Sequence, residues 1–371
     1  MAMTGELDTN GYYALGLPFY ASVVVAELLV AKRRKRPVYE FAPTIGNIAA
    51  GVGEVVLGLF LGPILLGLYD FGYEHLALVH WQNPIIPWVL AFLLGDLGYY
   101  VYHRAGHSVA VLWAIHGVHH QAEEMNVSVA MRHPWLSDTY SFPFYVMLPL
   151  CGVPATQFFI AISVISFYSL TVHSRFFHRP GFYVLVTPAT HIVHHARNPR
   201  YLGKNLGAMF TIWDRLFGTH VELDPNDPPI LGTHEGYRTH DGVFAQWLGF
   251  RDLLRLARQT PALGDKLRVF LQHPGWRPAG AKLQRDPPPR VEIALSTKAY
   301  VALQTAVTLA LAAWVLWFRT RHSPLFLVVG AALILWSLSS IGGLLDGRRY
   351  ARGVEIARVA ALATAAIFVA R

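Results

Sequence analysis

The segment DLGYYVYHRAGHSVAVLWAIHGVHH, residues 96–120, decides the organisation of this chain, because an apolar run ends in it and two histidine clusters begin. Its histidines follow the spacings HxxxH and HxxHH, and a second HxxHH lies at residues 191–195. Residues three or four apart share one face of a helix, so each cluster points its imidazoles at one place. Imidazole is a common metal ligand at neutral pH, and eight are more than one ion needs. The pattern predicts a two-metal site formed by His103, His107, His116, His119, His120, His191, His194 and His195.

Other kinds of metal site are excluded by the residues that the chain lacks. Cys151 is its single cysteine, so a zinc finger with several thiolate ligands is impossible. The zinc-protease motif HExxH is absent as well. The predicted site is therefore built almost wholly from histidine.

The composition is that of a membrane protein. Hydrophobic residues make up 53% of the 371 residues, charged residues make up only 15%, and the mean hydropathy is +0.34. About 20 apolar residues cross a bilayer core. Several apolar runs reach about that length, and they predict six to eight membrane helices in an all-α, polytopic integral membrane bundle. The runs are residues 12–31, 48–68, 85–102, 141–172, 299–318, 324–345 and 354–370.

The run at residues 141–172 bears on where the histidines lie. It is too long for one simple span and contains Pro143, Pro149 and Pro154, so we expect a helical hairpin there. Residues 32–36 are all basic and place that loop on the cytoplasmic side by the positive-inside rule. Counting spans from this loop brings all three histidine clusters to the cytoplasmic face only if the hairpin forms. A multi-pass protein with a metal site on its cytoplasmic face is thus predicted.

Three regions separate by composition: membrane helices at residues 1–100, a histidine-bearing region at 101–295 and further apolar runs at 296–371. The last region is either a separate bundle or a lipid-facing or dimerising addition. The net charge of +8 fits attraction to anionic headgroups. Neither a basic-aromatic nucleic-acid motif nor a glycine-rich phosphate loop is evident, so no nucleic-acid partner is expected.

Asp96 lies inside an apolar run, one heptad before His103. An acid in a membrane span is costly and often functional. The spacing suggests a hydrogen bond from the free ring nitrogen of a ligating histidine, which would fix the tautomer of that histidine. A buried acid with a purely structural partner is the alternative.

The ligand type and the membrane setting together limit which metal and which reaction the site can have. All-nitrogen ligation suits iron, zinc, copper or nickel. Lipids contain few hydrolysable bonds that need two metals but many inert C–H bonds, and O₂ activation at such a bond needs a redox metal with open positions. Iron fits best, so we predict a di-iron, O₂-dependent oxygenase of a membrane lipid. A metal-binding transporter or sensor is disfavoured, because its polar groups should recur near the bilayer midplane.

The motifs around the histidines resemble those of the fatty acid hydroxylase and sterol desaturase superfamily. The resemblance covers about residues 85–220 and includes DLGYY before the first cluster, then LWAIHGVHH, HIVHH, Asn205 and WDRLFGT. Within the superfamily the chain most resembles the alkylglycerol monooxygenase branch. That likeness rests on HHQAEEMNVSVAMR at residues 119–132, TPATH at 187–191 and HHARN at 194–198.

The resemblance implies a membrane-bound di-iron site, O₂ as co-substrate and a lipid substrate. In the alkylglycerol branch the carbon beside the ether oxygen is hydroxylated with tetrahydrobiopterin as electron donor, and the hemiacetal falls apart to an aldehyde and a glycerol. Two departures keep other substrates open: Ser108 follows His107 where that branch commonly has an acid, and His133-Pro134 resembles sterol-modifying relatives. The alternative is hydroxylation or desaturation of a sterol or a fatty-acyl chain, including that of an amino lipid. An electron-donor protein is an alternative to the pterin.

The same resemblance adds candidates outside the clusters. His173 takes the place of a further histidine on the membrane helix before the last cluster, and it is expected as a ninth ligand. His133 is left open as a ligand. Asn205 is a candidate bridge to a ligand, and residues 213–219 are expected to cap the site.

Three polar residues directly follow the second cluster: Glu123, Glu124 and Asn126. As functional residues they would orient ligands or bind substrate. As structural residues they would be solvated groups at the end of a helix. The spacing alone does not decide between these two readings.

Overall fold

The computed structural model describes residues 9–176, 184–279, 281 and 287–369. This part of the chain folds into α-helices and three short 3₁₀ helices, and no β-strand forms within it, which confirms the all-α prediction. The 3₁₀ helices are His119–Gln121, Val127–Met131 and Arg319–Arg321. The α-helices are α1 (Thr9–Arg33), α2 (Phe41–Leu76), α3 (Ile85–Ser108), α4 (Ala110–His116), α5 (Ser137–Tyr145), α6 (Met147–Leu150), α7 (Ala155–Thr171), α8 (Pro188–His194), α9 (Ile212–Leu216), α10 (Gly242–Gln259), α11 (Leu263–Leu271), α12 (Leu295–Trp317), α13 (Pro324–Leu345) and α14 (Ala351–Val369).

Four of the described helices are long and apolar enough to cross a membrane: α2, α3, α12 and α13. They contain 36, 24, 23 and 22 residues, against about 20 for a bilayer core. The sequence predicted six to eight spans. Of the other apolar runs, the one in α7 gives a helix of only 17 residues, and α14 carries the ion pair of Glu355 and Arg358. These two runs are thus too short or too charged to count as full spans, which a run of apolar residues alone does not show.

Residues 141–172 form the expected helical hairpin. Its first arm is short and interrupted, since α5 contains Pro143 and is followed by the four-residue helix α6. The turn packs on the loop between α2 and α3, where the Trp81 indole donates to the Cys151 carbonyl over 2.8 Å. Helix α7 then returns, and His173 follows directly after it. Both ends of the hairpin therefore lie at the end of the bundle where α3 terminates.

The C-terminal helices α12 and α13 pack against α2. Near the start of α2, Ala42 shares a core with Val301 of α12 and Leu345 of α13. Further along, Val56 belongs to a second core that again includes both helices. Helix α12 thus runs in the direction of α2, and α13 runs back. The described residues from 295 onwards belong to the same bundle as α2.

Helix α10 closes the end of the bundle where α2 begins. Its N-cap residue, Asp241, accepts hydrogen bonds from the hydroxyl of Ser339 in α13 (2.9 Å) and from Arg348 (2.7 Å). The Trp135 indole, from the segment before α5, donates to the Ala50 carbonyl of α2 (2.8 Å). These contacts join the polar part of the chain to the membrane helices at the end where the histidines gather.

Candidate metal centre

Nine histidines gather at this end of the bundle in two groups, and within each group the nearest ring nitrogens all lie within 4.8 Å of one another. They include all eight clustered histidines and His173, the predicted ninth ligand. His133 belongs to neither group among the described residues. The first group is His103, His107, His116, His120 and His194, and the second is His119, His173, His191 and His195.

Separate elements of the chain deliver these side chains. Helix α3 carries the HxxxH pair, and α4 with the 3₁₀ turn after it carries the first HxxHH. The second HxxHH lies on α8 and its C-cap. Helix α8 starts with a capping box, in which Thr187 and Thr190 exchange hydrogen bonds, and with Pro188 in its first turn. The local sequence therefore fixes where α8 begins, and so which face its histidines share.

Backbone carbonyls set the tautomers of four of the rings. His103 Nδ1 lies 2.7 Å from the carbonyl oxygen of Leu206, and His119 Nδ1 lies 3.1 Å from that of Arg132. His173 Nδ1 lies 2.8 Å from the carbonyl oxygen of Ser169, and His194 Nδ1 lies 3.1 Å from that of Lys204. A carbonyl only accepts, so each Nδ1 must carry the proton. Each Nε2 then presents a lone pair, which is the form that binds a metal.

The inward nitrogens of each group face one another at the spacing of metal ligands. His119 Nε2 and His173 Nε2 are 3.2 Å apart, yet both rings already carry their proton on Nδ1, so this contact cannot be a hydrogen bond. The Nε2 atoms of His107 and His194 are buried without a hydrogen-bond partner. Two nitrogens at 90° around one ion, with bonds of about 2.1 Å, are separated by about 3.0 Å. Facing lone pairs at this distance fit a cation held between them.

Burial keeps these histidines neutral. Desolvation lowers the pKa of His173 to about 4, because a charged imidazole has lost its water. The other site histidines outside the membrane helices have a pKa well below the ordinary value, chiefly because of desolvation: His116, His119, His120, His191, His194 and His195. Neutral imidazole is the ligand form, so the site is ready to bind metal at neutral pH.

Asp96 is buried, but it does not bind a histidine ring directly. Its carboxylate accepts from the backbone amides of Met209 (3.0 Å) and Phe210 (3.3 Å) and from the Trp213 indole (2.9 Å). The expectation of a direct hydrogen bond to a ligating histidine is therefore wrong. One heptad on a helix is about 10 Å along its axis, too far for such a bond. Asp96 instead anchors the segment whose Leu206 carbonyl orients a histidine.

Asp214 also anchors this segment, and it was not singled out from the sequence. Its two oxygens accept from the amides of Leu206 (2.7 Å) and Gly207 (2.8 Å), and the Thr219 hydroxyl donates to it (2.7 Å). The carboxylate thereby fixes the loop that supplies a carbonyl to His103. The sequence signal that could have found Asp214 was an acid inside the predicted cap at residues 213–219.

Glu123, Glu124 and Asn126 lie outside both histidine groups. Glu123 forms an ion pair with Arg238 (2.8 Å), and Glu124 accepts from the Asn47 amide of α2 (3.1 Å). Burial raises the pKa of Glu124. The Asn126 side chain caps the following 3₁₀ helix by accepting from the Ser128 amide (2.9 Å). These residues brace the segment that leads to the Arg132 carbonyl, and their part in substrate binding stays a prediction.

Asn205 contacts backbone and not a ligand ring. Its side-chain amide donates to the carbonyls of Thr190 (2.9 Å) and Val221 (2.7 Å). Its backbone has φ +52°, a left-handed conformation that asparagine tolerates better than most residues. Asn205 thus joins α8, next to His191, to the chain that follows the cap.

Glu27 is a buried acid in α1 that sequence reasoning did not single out. Its carboxylate accepts from the Tyr39 hydroxyl (2.6 Å), the Val127 amide (2.7 Å) and the Ser174 hydroxyl (2.6 Å). It therefore ties α1 to the residue that directly follows His173. A single acid within the first apolar run was the signal that could have found it.

His133 forms an ion pair with Glu54 of α2, with Nδ1 and Oε1 2.5 Å apart. Burial alone would lower its pKa, but the Glu54 carboxylate outweighs this effect and raises the pKa of His133 to about 9. The Nδ1 atom of His133 thus faces a carboxylate, whereas the nine histidines point nitrogens at one another.

Comparison with known proteins agrees with this arrangement. Residues 88–219, which include every clustered histidine, match the family model described as fatty acid hydroxylase. The chain is 30% identical to the human alkylglycerol monooxygenase over 366 residues, which is 95% of this chain and 81% of the human protein. It is 28% identical to the alkylglycerol monooxygenase of Danio rerio, over 94% of this chain and 80% of that protein.

The chain therefore belongs to the fatty acid hydroxylase and sterol desaturase superfamily, and within it to the alkylglycerol monooxygenase-like branch. It is a membrane protein of the lipid hydroxylase and monooxygenase class. Over 134 residues, 35% of the chain, it is also 29% identical to the ornithine lipid hydroxylase of Rhizobium tropici. No solved structure matches the chain with comparable significance.

Proposed function

We propose that this protein is a di-iron monooxygenase that uses O₂ to hydroxylate the carbon beside the ether oxygen of an alkylglycerol. The observation that carries the proposal is the pair of histidine groups, in which inward lone pairs face one another about 3 Å apart. The likeness to alkylglycerol monooxygenases over nearly the whole chain supports the choice of substrate. The nine histidines are the proposed ligands.

The ligand sets fit redox metals with room for O₂. All-nitrogen sites suit iron, and four or five histidines leave one or two positions of a six-coordinate ion open. Bound there, iron would supply O₂ activation and the power to break a C–H bond. The protein's own part is to hold the imidazoles in one tautomer and to keep water away, since all nine are buried or nearly so.

The overall reaction balances with two electrons and two protons. One oxygen atom of O₂ enters the C–H bond as a hydroxyl group, and the other leaves as water. The resulting hemiacetal breaks its C–O bond to the glycerol, giving an aldehyde and a free glycerol hydroxyl. We propose that the two electrons come from a reduced pterin such as tetrahydrobiopterin, with an electron-donor protein as the alternative.

The proposed orientation puts the metal centre on the cytoplasmic face. The basic loop at residues 32–36 lies at the same end as the histidines, because the Val38 carbonyl next to it accepts from the Asn126 side chain (2.8 Å). Positive loops stay in the cytoplasm. The catalytic region proposed from the sequence is residues 101–295, between helices at 1–100 and 296–371.

Hydroxylation of the acyl chain of an amino lipid is the second candidate function. It is favoured by the match to the ornithine lipid hydroxylase of Rhizobium tropici. That match covers only 35% of the chain, whereas the alkylglycerol monooxygenases align with nearly all of it. Ether-lipid cleavage is therefore the first function to test.

The test uses the full-length protein, loaded with iron in lipid nanodiscs and supplied with hexadecylglycerol, tetrahydrobiopterin and air. We expect hexadecanal, detected by mass spectrometry, and none of it without O₂. A protein that contains iron but oxidises neither hexadecylglycerol nor an ornithine lipid in an O₂-dependent way would refute the proposal.

A further inference from the structure

The carboxylate of Glu27, in α1, is fully buried and accepts hydrogen bonds from three other segments of the chain. Its Oε2 atom accepts from the Val127 amide (2.7 Å) and the Tyr39 hydroxyl (2.6 Å). Its Oε1 atom accepts from the Ser174 hydroxyl (2.6 Å) and the Arg175 amide (3.2 Å). Each oxygen therefore binds one hydroxyl group and one backbone N–H.

Two of these segments lead to ligands of one metal-binding set. We call this set the four-histidine group: His119, His173, His191 and His195. Ser174 directly follows His173. Val127 begins the 3₁₀ helix that leads to Arg132, and the Arg132 carbonyl accepts the Nδ1 proton of His119. Since the Nε2 atoms of His119 and His173 face each other 3.2 Å apart, one carboxylate holds the backbone behind both rings.

A different acid holds the other metal-binding set. We call that set the five-histidine group: His103, His107, His116, His120 and His194. Asp214 accepts from the amides of Leu206 and Gly207, and the Leu206 carbonyl accepts the Nδ1 proton of His103. The four Glu27 contacts described above involve neither this loop nor a helix that carries a ligand of the five-histidine group. The two sets of ligands are thus anchored through separate carboxylates.

We propose that Glu27 is a positioning residue for the metal ion of the four-histidine group and not for the ion of the five-histidine group. The inference deepens the proposed function and rests on its two-metal centre. Removal of a group that orients metal ligands lowers metal affinity about 10- to 100-fold. Because Glu27 acts on the backbone behind His119 and His173, its loss should weaken one of the two ions selectively.

Glu27→Gln keeps the size of the side chain but disrupts the four hydrogen bonds. The amide nitrogen of glutamine only donates, and each of the two oxygen positions of Glu27 faces a backbone N–H, that of Val127 or that of Arg175. The hydroxyl groups of Tyr39 and Ser174 can turn and accept, but a backbone N–H cannot. Either orientation of the glutamine amide therefore sets two donors against each other in a buried place.

The test measures how many irons the full-length protein in nanodiscs retains at increasing concentrations of an iron chelator. We expect Glu27→Gln to lose one iron per chain at a chelator concentration about 10- to 100-fold lower than the wild-type protein, and to hold the second iron as the wild-type protein does. Adding Asp214→Asn should weaken the second iron too. In a His191→Ala background, where the four-histidine group already lacks a ligand, Glu27→Gln should cause no further loss from the five-histidine group.

Glu40→Gln is the matched control, because this exposed glutamate pairs with Arg290, and the variant should release iron as the wild-type protein does. Ser174→Ala removes one donor and leaves the carboxylate intact, so it should weaken the same ion by a smaller factor even if Glu27→Gln does not fold. Equal weakening of both ions, the mark of a merely structural role, would overturn the inference. So would wild-type retention of both irons by Glu27→Gln.

The formation of hexadecanal in air separates this inference from the proposed function. Selective loss of one iron, in a protein that forms no aldehyde from hexadecylglycerol, would refute the proposed function and leave the role of Glu27 standing. Aldehyde formation by the wild-type protein, together with equal weakening of both irons by Glu27→Gln, would refute the role of Glu27 alone.

Discussion

His103, His119, His173 and His194 each give the Nδ1 proton to a backbone carbonyl, and only the carbonyl that pairs with His173, that of Ser169, lies within one helical turn of its histidine. Such bonds fix the tautomer and orientation of each ring and, unlike bonds to a carboxylate, add no negative charge to the site. The proposed centre thus has a neutral shell of ligands and supports. Two bound cations would keep their full charge for stabilising negative charge on oxygen.

At the residue scale, replacing one ligand in either group should abolish turnover. We expect His119→Ala and His194→Ala to form no hexadecanal while they still insert and purify as the wild-type protein does, because each removes one nitrogen from a different group. Product is measured by mass spectrometry and folding by gel filtration. His75→Ala, an exposed histidine outside both groups, is the control and should stay active. Wild-type activity in either ligand variant would reject that ligand assignment.

Asp214 offers a test of the supporting contacts. Asn at this position would replace one acceptor oxygen with an amide that cannot accept from the Leu206 or Gly207 amide. We expect Asp214→Asn to lose iron to a chelator with an affinity reduced about 10- to 100-fold, the usual effect of losing a group that orients ligands. Asp224→Asn, at an exposed pair with Arg200, should retain iron like the wild-type protein. Equal retention by both variants would contradict the role of Asp214.

The metal ligands were predictable from the sequence, whereas the acids that hold backbone segments in place were not. The eight clustered histidines were found because ligand spacing on a helix is local and periodic, and His173 was found from its place in the family's pattern. Asp96 was noticed, but its partners lie more than 110 residues away along the chain. Asp214 and Glu27 likewise bind amides and hydroxyls that no residue pattern marks. Their roles required the fold.

At the element scale, α13 reaches α10 through a close contact at Gly342. A Cβ at this position would lie 2.2 Å from the Cα of Asp241, whereas one at Gly343 would make only ordinary contacts with the side chains of Ala351 (3.7 Å) and Arg348 (3.8 Å). We expect Gly342→Ala to destabilise the protein by about 1–3 kcal/mol through overpacking. Gly343→Ala should be nearly neutral. Thermal unfolding in detergent separates the two, and equal melting temperatures would show that this contact does not hold α13 in place.

Helix positions were predicted well where apolar runs are long and poorly where helices are short. The hairpin at residues 141–172 followed from its length and prolines, and it is present. The sequence does not delimit α4 and α8, because seven residues cover less than two turns of any pattern. Yet these short helices carry the two HxxHH motifs. Their bounds depend on caps such as Thr187 and on packing.

At the scale of the whole molecule, the two ends of the bundle differ in charge and chemistry. The basic loop at residues 32–36 and the nine histidines share one end, where Arg34 stacks 5.5 Å above the Phe176 ring. Cys151 lies at the other end, beside Trp81 in the loop between α2 and α3. The shared position of the basic loop and the histidines supports the proposed orientation, in which the histidine end faces the cytoplasm.

The single cysteine makes this topology testable. We expect a membrane-impermeant maleimide to label Cys151 only from the non-cytoplasmic side of the membrane. An Arg200→Cys change in a Cys151→Ala background should be labelled only from the cytoplasmic side, because Arg200 is exposed at the histidine end. Labelling in intact cells and in inverted vesicles distinguishes the sides. The reverse pattern would place the proposed metal centre on the opposite face.

The central claim, that nine histidines hold two irons, is tested most directly by counting metals in the purified full-length protein. Elemental analysis by mass spectrometry of protein produced in iron-supplemented medium should give two irons per chain, with the other metals far below one. A single zinc per chain, or no bound metal after reconstitution with ferrous iron, would contradict the account.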